Sequence, residues 1–287
     1  MKSLQFQAEK LRFITNLQQL ITKIDLASQD AERNWLIKGF IDRHKNLYAL
    51  SHDTKVISKI IEIQMLPHLT VFAEENGYNL ILPEHQNYYP DLSFQSKDDL
   101  NILFALDIKT TFRKKDKASG FTLGSHGGYF KDRKNRKNIQ FPYEDYIAHF
   151  CLGVIYSRNE SSEADITNNS TADSVYRLEN LEEIRSVIKD LDFFVAEKWK
   201  IASDSRGSGN TANIGSITDI ADLKNSQGVF SKLGEDWFDE YWMNYGKVRL
   251  VKNGDSILVT NIWDFLRFKG REDLFSSVNS KGAKVIK

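Results

Sequence analysis

Two short runs hold the residues whose types and spacing could do chemistry. Tyr89-Pro90-Asp91-Leu92 places a carboxylate at Asp91, and Ala105-Leu106-Asp107-Ile108-Lys109 places a second at Asp107 with an amine two residues on. Mg2+ takes oxygen ligands, keeps several waters, and commonly binds through one or two carboxylates plus a substrate phosphate. Asp91 and Asp107 suit that role. The chemistry is hydrolysis of a phosphodiester: the ion activates a water and offsets developing charge, and Lys109 adds a positive charge beside the phosphate. Enzymes lower barriers by about 8–23 kcal/mol, and a phosphodiester asks for the upper part of that range. One lysine cannot supply that much, so the metal is indispensable.

Those three side chains need strands beneath them. Ile102, Phe104, Leu106 and Ile108 alternate with Asp107 and Lys109, which predicts a strand over 102–111 with an apolar face and an ionisable one. Further strands are predicted at 79–82 and 91–95. Fifteen residues separate Asp91 from Asp107, enough for a hairpin that turns through Ser96–Asn101. An amphipathic helix is predicted from Leu11, Ile14, Leu17, Ile21 and Ile24. A second starts near Asp53 with Val56, Ile57, Ile60 and Ile63 on its apolar side; Pro67 should interrupt it and Gly77 cap it. Glu62 falls off that apolar arc, toward solvent or a cleft. The pattern predicts helix again over 142–156, a polar surface loop over 158–174, a strand over 192–202, and a helix through Trp237, Phe238, Tyr241 and Trp242. Helices and strands without a regular alternation favour an α/β fold with a mixed sheet flanked by helices.

Bulk composition narrows the partners. The 287 residues balance 39 basic against 39 acidic side chains, which excludes a polycationic, histone-like surface but leaves room for a local basic cleft. Two basic runs fit such a cleft: Lys109, Arg113, Lys114, Lys115 and Lys117, then Lys131, Arg133, Lys134, Arg136 and Lys137. Between glycines, the turn at 207–213 carries Ser208, Asn210, Thr211 and Asn213, short amides and hydroxyls able to read base edges. Cys151 is the one cysteine and sits in an apolar run, which predicts a buried, inert thiol. No signal-peptide pattern and no run of about 18 apolar residues is present, so a soluble, cytoplasmic protein is expected. Histidines and the cysteine lack zinc spacing. Gly207-Ser208-Gly209-Asn210-Thr211 lacks the Lys-Ser/Thr end of a phosphate loop.

Taken together these runs resemble the PD-(D/E)xK nucleases and, among them, the EcoRV type of type II restriction endonuclease. The likeness covers Ser51-His52-Asp53-Thr54-Lys55-Val56, Gln86-Asn87 with Tyr89-Pro90-Asp91, and Asp107-Ile108-Lys109-Thr110-Thr111. It continues through Phe121-Thr122-Leu123-Gly124, Tyr146-Ile147-Ala148-His149, Gly207-Ser208-Gly209-Asn210-Thr211 and Asn213-Ile214-Gly215-Ser216, in the same order over about residues 50–245. The resemblance implies a restriction-endonuclease-like fold and one endonuclease domain over 1–287. It implies dimerisation regions near 18–50 and 143–190 and a DNA-recognition region near 195–287. Asp91 and Asp107 would be the metal ligands, Lys109 the catalytic lysine and Glu62 an auxiliary acid. Gln86 and Asn87 would form a minor-groove loop, and Gly207, Ser208, Gly209, Asn210, Thr211 and Asn213 the major-groove loop. Thr110, Thr111 and Lys137 complete the implied DNA contacts. The implied partner is double-stranded DNA, bound by a homodimer with Mg2+ and cut bluntly at GATATC. His85 stands where the family has a second glutamine, and Met243 where it has an arginine. Two other readings of the residues remain open. One is a repair or junction-resolving nuclease of the same superfamily; the other is a non-catalytic DNA-binding protein in which Asp107 and Lys109 are merely structural.

Overall fold

The computed structural model describes residues 4–159, 176–207, 212–252 and 254–284. In chain order the helices are α1 (Leu4–Ala27), α2 (Thr54–Glu75), α3 (Gly128–Lys131), α4 (Lys198–Ile201), α5 (Ile220–Lys224), α6 (Glu235–Asn244) and α7 (Ile262–Phe268). The first strands are β1 (Gly39–Ile41), β2 (Asn46–Ala49), β3 (Tyr78–Ile81), β4 (Leu92–Ser96), β5 (Leu103–Lys114), β6 (Lys117–Ala118) and β7 (Thr122–Ser125). They are followed by β8 (Ala148–Arg158), β9 (Tyr176–Arg177), β10 (Ile188–Glu197), β11 (Ala202–Arg206), β12 (Asn213–Ser216), β13 (Arg249–Lys252) and β14 (Asp255–Leu258).

The central sheet runs β10-β8-β5-β4-β3, with β6 paired to the end of β5. β5 and β8 are parallel; the other pairs along this path are antiparallel, so the sheet is mixed. β5 is the axis of the molecule because apolar side chains leave both its faces. Phe104, Leu106 and Ile108 enter a core with α1 and α2, while Leu103 and Ala105 enter a second core with Phe121, Phe194, Phe230 and Trp242. Phe13 of α1 locks the first core: its ring stacks on Phe104 at 4.4 Å and Phe150 at 5.3 Å and meets Phe72, Tyr78 and Phe94 edge-on. Offset and edge-on ring contacts of this kind add about 0.5–1.5 kcal/mol each beyond area burial. A second sheet has the order β11-β12-β7 and a third the order β1-β2-β9.

The predicted helix near Asp53 is present, with the Asp53 carboxylate accepting from the amides of Lys55 and Val56 as an N-cap. Gly77 follows its end at φ +78°, the left-handed value that glycine adopts freely. Three expectations need correction here. Pro67 does not interrupt α2, because it lies on the exposed side where the freed carbonyl can be solvated, and buried Met65 and Leu69 hold both halves. Ile63 is exposed and Ile61 takes its place in the core. Leu11 of α1 is likewise exposed, with Phe13 buried instead. α2 is long and apolar enough by composition to cross a membrane, but its apolar residues Ile57, Ile61, Met65, Leu69 and Phe72 pack into the core.

The largest correction concerns 142–156. In place of a helix there is a short 3-10 turn, Tyr143–Asp145, and then β8. A parallel strand covered on both faces reads as an unbroken apolar run, which periodicity cannot tell from buried helix. The strand expected over 192–202 is also two elements. β10 ends at Glu197, and the single turn α4 carries the chain from the central sheet into β11 of the second. Most of the expected 158–174 loop lies outside the described residues.

Candidate active site

Asp91 directly precedes β4, and the β4–β5 register pairs Leu92 with Leu106, so Asp91 lies opposite Asp107. The apolar residues around them fix this register, since a slip of one residue would put Phe104 and Leu106 on the wrong face. The Asp91 carboxylate accepts from the Ile108 amide at 2.8 Å, which holds it against β5. Lys109 Nζ lies 3.1 Å from Asp107 Oδ2 and 3.4 Å from Asp91 Oδ2, and the Asp91 amide reaches Asp107 Oδ1 at 3.4 Å. Three side chains from two strands thus converge at one point.

Their electrostatics are unbalanced. Two carboxylates share one ammonium in a largely buried place. Burial, then the neighbouring Asp107 charge, raises the Asp91 carboxyl to about 6, and Glu62 pushes in the same direction. Burial opposes the charge on Lys109, but Asp107 and Asp91 more than offset it and hold that amine well above its ordinary value. Two carboxylates facing one ammonium leave negative charge in excess, which suits the site to a divalent cation. Among the described residues no three His, Cys, Asp or Glu side chains are grouped to hold a metal. An ion here would rest on two carboxylates, with water and substrate oxygens completing its shell, as Mg2+ commonly does.

Glu62 sits on the α2 flank of this point, half-buried and paired with Lys59 at 2.6 Å. Behind the site, β8 brings Cys151 into register with Asp107. Burial pushes that thiol up to about 12, so it is the inert thiol expected. Tyr89 stacks on Tyr129 at 5.3 Å and its hydroxyl meets His149 Nδ1 at 2.9 Å, forming an aromatic wall beside Asp91. Sequence reasoning missed Lys198. The residue is 4% exposed, its Nζ has no hydrogen-bond partner among the described residues, and the rings of Tyr89, Phe130 and Tyr143 surround it at 5.2–5.5 Å. Burial lowers its pKa to about 8, against the pull of Asp107. The sequence carries no signal for it, since Glu197-Lys198-Trp199 reads as an ordinary polar strand end.

The expected DNA contacts fall in several places. Gln86 and Asn87 are exposed on the loop between β3 and Asp91. That loop is tied to residues 138–140 by Tyr89 N to Asn138 O at 3.1 Å and Gln140 N to Tyr89 O at 2.8 Å, which sets exposed Lys137 beside it. Thr110 leaves β5 on the face opposite Asp107 and hydrogen-bonds Ser58 of α2; Thr111 is buried. Gly207 donates to Asn213 O at 2.9 Å, closing the described base of the β11–β12 turn. A Cβ on Gly207 would stand 2.9 Å from Thr122 Cγ2, so a larger residue there would have to displace that methyl. Ser208, Gly209, Asn210 and Thr211 lie outside the described residues. Of the two basic runs, Arg113 pairs with Asp192 at 2.6 Å and Arg133 with Asp239 at 2.8 Å. Both therefore brace the fold.

The chain is similar to known proteins over most of its length. The family description "Restriction endonuclease EcoRV" matches residues 31–270. The chain is 35% identical over 229 residues to the type II restriction enzyme EcoRV of Escherichia coli, an alignment covering 79% of this chain and 89% of that protein. Restriction endonucleases of this kind generally use a divalent metal. The chain belongs to the EcoRV family of type II restriction endonucleases, site-specific deoxyribonucleases.

Proposed function

We propose that this protein is a Mg2+-dependent homodimer that hydrolyses double-stranded DNA at a short palindrome, GATATC, cutting it bluntly to leave 5′-phosphate and 3′-hydroxyl ends. The observation that carries this reading is the convergence of Asp91, Asp107 and Lys109 on one point with carboxylate charge in excess. Asp91 and Asp107 would hold the ion. When bound, Mg2+ supplies an activated water and offsets charge on the phosphate as it is attacked. Lys109 directs its ammonium at a non-bridging phosphate oxygen, and Asp91 and Asp107 hold that ammonium in place and charged. The Ile108 amide fixes the Asp91 carboxylate, and Glu62 adds negative charge from the helix side. The aromatic wall of Tyr89, Tyr129 and Tyr143 keeps the back of the site dry.

Sequence readout is assigned to Gln86 and Asn87 on one side and to the 207–213 turn with Asn213 on the other. Lys137 is the remaining DNA-facing assignment; of the other two expected contacts, Thr110 is engaged with Ser58 of α2 and Thr111 is buried. The single endonuclease domain 1–287 divides by role, with recognition over 195–287 and dimerisation over 18–50 and 143–190. Support for the dimer comes from the β1-β2-β9 sheet and the 3-10 turn after it, where Phe40, Ile41, Tyr48, Leu178 and Leu181 are exposed. Phe40 and Tyr48 are cross-strand partners and share one face of that sheet, and exposed side chains of this size fit a partner copy. A two-fold dimer meets the same half-site twice and so reads a palindrome. The protein acts in the cytoplasm on this reading.

Plasmid digestion with Mg2+, followed by sequencing of the ends, tests it. Discrete bands ending bluntly within GATATC are expected. Discrete bands at another palindrome would keep the enzyme and move the site. Cleavage only of branched or damaged DNA would replace the reading with a repair nuclease, and specific binding without product would replace it with a non-catalytic binder.

A further inference from the structure

Residues 271–284 lie beyond the family match, which ends at residue 270. They nonetheless return to the second sheet. After a 3-10 turn, Glu272–Ser277, the chain crosses Val229, where Asn279 N donates to Val229 O at 3.4 Å. Gly282 then presses against the sheet so closely that a Cβ would stand 2.3 Å from Ile217 Cγ2. Val278 and Ala283 are buried along this path. The segment ends on Asp204 of β11, whose Oδ1 accepts from the Lys284 amide at 2.9 Å.

Asp204 is fully buried and, among the described residues, has no cationic partner in a salt bridge. Its other carboxylate oxygen accepts from the Ile262 amide at 3.0 Å, at the start of α7, and its carbonyl accepts from the Tyr241 hydroxyl of α6. A carboxylate buried without a cation must be satisfied by such donors, because an orphaned one is strongly unfavourable. Asp204 therefore gathers α6, α7 and the C-terminal segment onto the strand that leads into the β11–β12 turn. The β11–β12 ladder itself is short, pairing Ala202 with Ser216 and Arg206 with Ile214 around an irregularity, and is supplemented by Ser203 Oγ donating to Gly215 O at 3.1 Å and Gly207 N to Asn213 O at 2.9 Å.

We infer that the C-terminal segment is a latch, with Asp204 and the Lys284 amide as positioning residues that hold the β11–β12 hairpin in its DNA-reading pose. This rests on the assignment of the 207–213 turn to base readout. The latch acts on discrimination between sequences and leaves the distant Asp91–Asp107–Lys109 geometry untouched.

The test compares Lys284→Pro, which removes the amide donor, with Lys284→Ala, which keeps it and removes the side chain. Hydrogen exchange across Ala202–Arg206 and Asn213–Ser216 is read first. Kinetics follow on a duplex carrying the site mapped by wild-type digestion and on duplexes with one base pair changed. Lys284→Pro should exchange faster in the hairpin, raise KM on the site and lower discrimination by about tenfold, the size expected for losing a hydrogen bond to a charged group. Its kcat should stay near wild type, and Lys284→Ala should match wild type throughout. Unchanged exchange and discrimination in folded Lys284→Pro would overturn the latch, as would an equal loss from Lys284→Ala. A fall in kcat with KM and discrimination unchanged would also overturn it. If the wild-type chain cuts no duplex, the functional reading fails by itself, and hairpin exchange still decides the latch.

Discussion

The β4–β5 pair and the β11–β12 hairpin differ in how they are held. β5 lies in the middle of the central sheet, paired on both sides and buried against two cores. β11 belongs to a short, irregular sheet and relies on a few polar anchors, chief among them Asp204. On the proposed assignment of chemistry to β4–β5 and base readout to the β11–β12 turn, the difference follows the demands on each region. Phosphodiester chemistry requires charged groups fixed within fractions of an ångström, which only a packed scaffold provides. Base readout requires a surface that fits a groove, and a loop on a modest support can supply it.

The sharpest way to break this comparison is at the chemistry itself. Asp107→Ala should lower cleavage by about three orders of magnitude or more, since loss of a metal ligand forfeits several kcal/mol of transition-state stabilisation. DNA binding, read by gel shift, should persist. Next in size is the scaffold: Phe104→Ala should destabilise the fold by about 3–5 kcal/mol, seen as a lower denaturation midpoint. Val251→Ala, at an exposed strand position, should change stability by less than about 0.5 kcal/mol.

A smaller effect concerns pH. The Asp91 carboxyl is raised to about 6, so below that value the folded site carries a proton where the cation would bind. Metal affinity should rise with pH up to about 6 and flatten above it, falling about tenfold per unit on the acid side when followed by calorimetric titration with Mg2+. For stability the sign is opposite. A carboxyl raised in the fold favours folding at low pH, and that advantage fades between its ordinary value and about 6. The smallest effect belongs to Lys198. Its depressed pKa means the charged amine disfavours the fold, so wild-type stability should rise between about 8 and 10.5 as the unfolded chain alone keeps the proton. Lys198→Met should remove that rise and lift Tm at neutral pH by roughly 2–4 °C.

Much of β5 was legible because its signal is local: alternation from Ile102 to Lys109 puts the acid and amine on one face, and the β4–β5 hairpin needs only a short turn. β8 was not legible because burial on both faces erases alternation, so Phe150 to Tyr156 reads equally as helix. Pro67 misled because a proline is tolerated where the helix faces water. Lys198 left no trace in the sequence, since its cage is assembled from Tyr89, Phe130 and Tyr143, far apart in the chain. Arg113 and Arg133 looked like phosphate contacts for the same reason: their partners Asp192 and Asp239 are distant in sequence.

The central claim is that two aspartates hold a divalent ion beside Lys109. Anomalous diffraction from crystals of the protein with its DNA site and Mn2+, a substitute for Mg2+ with a measurable signal, tests this directly. A peak within about 2.0–2.3 Å of both carboxylates, next to the scissile phosphate, is the predicted result. A peak elsewhere, with Asp91 and Asp107 turned away from each other, would contradict it.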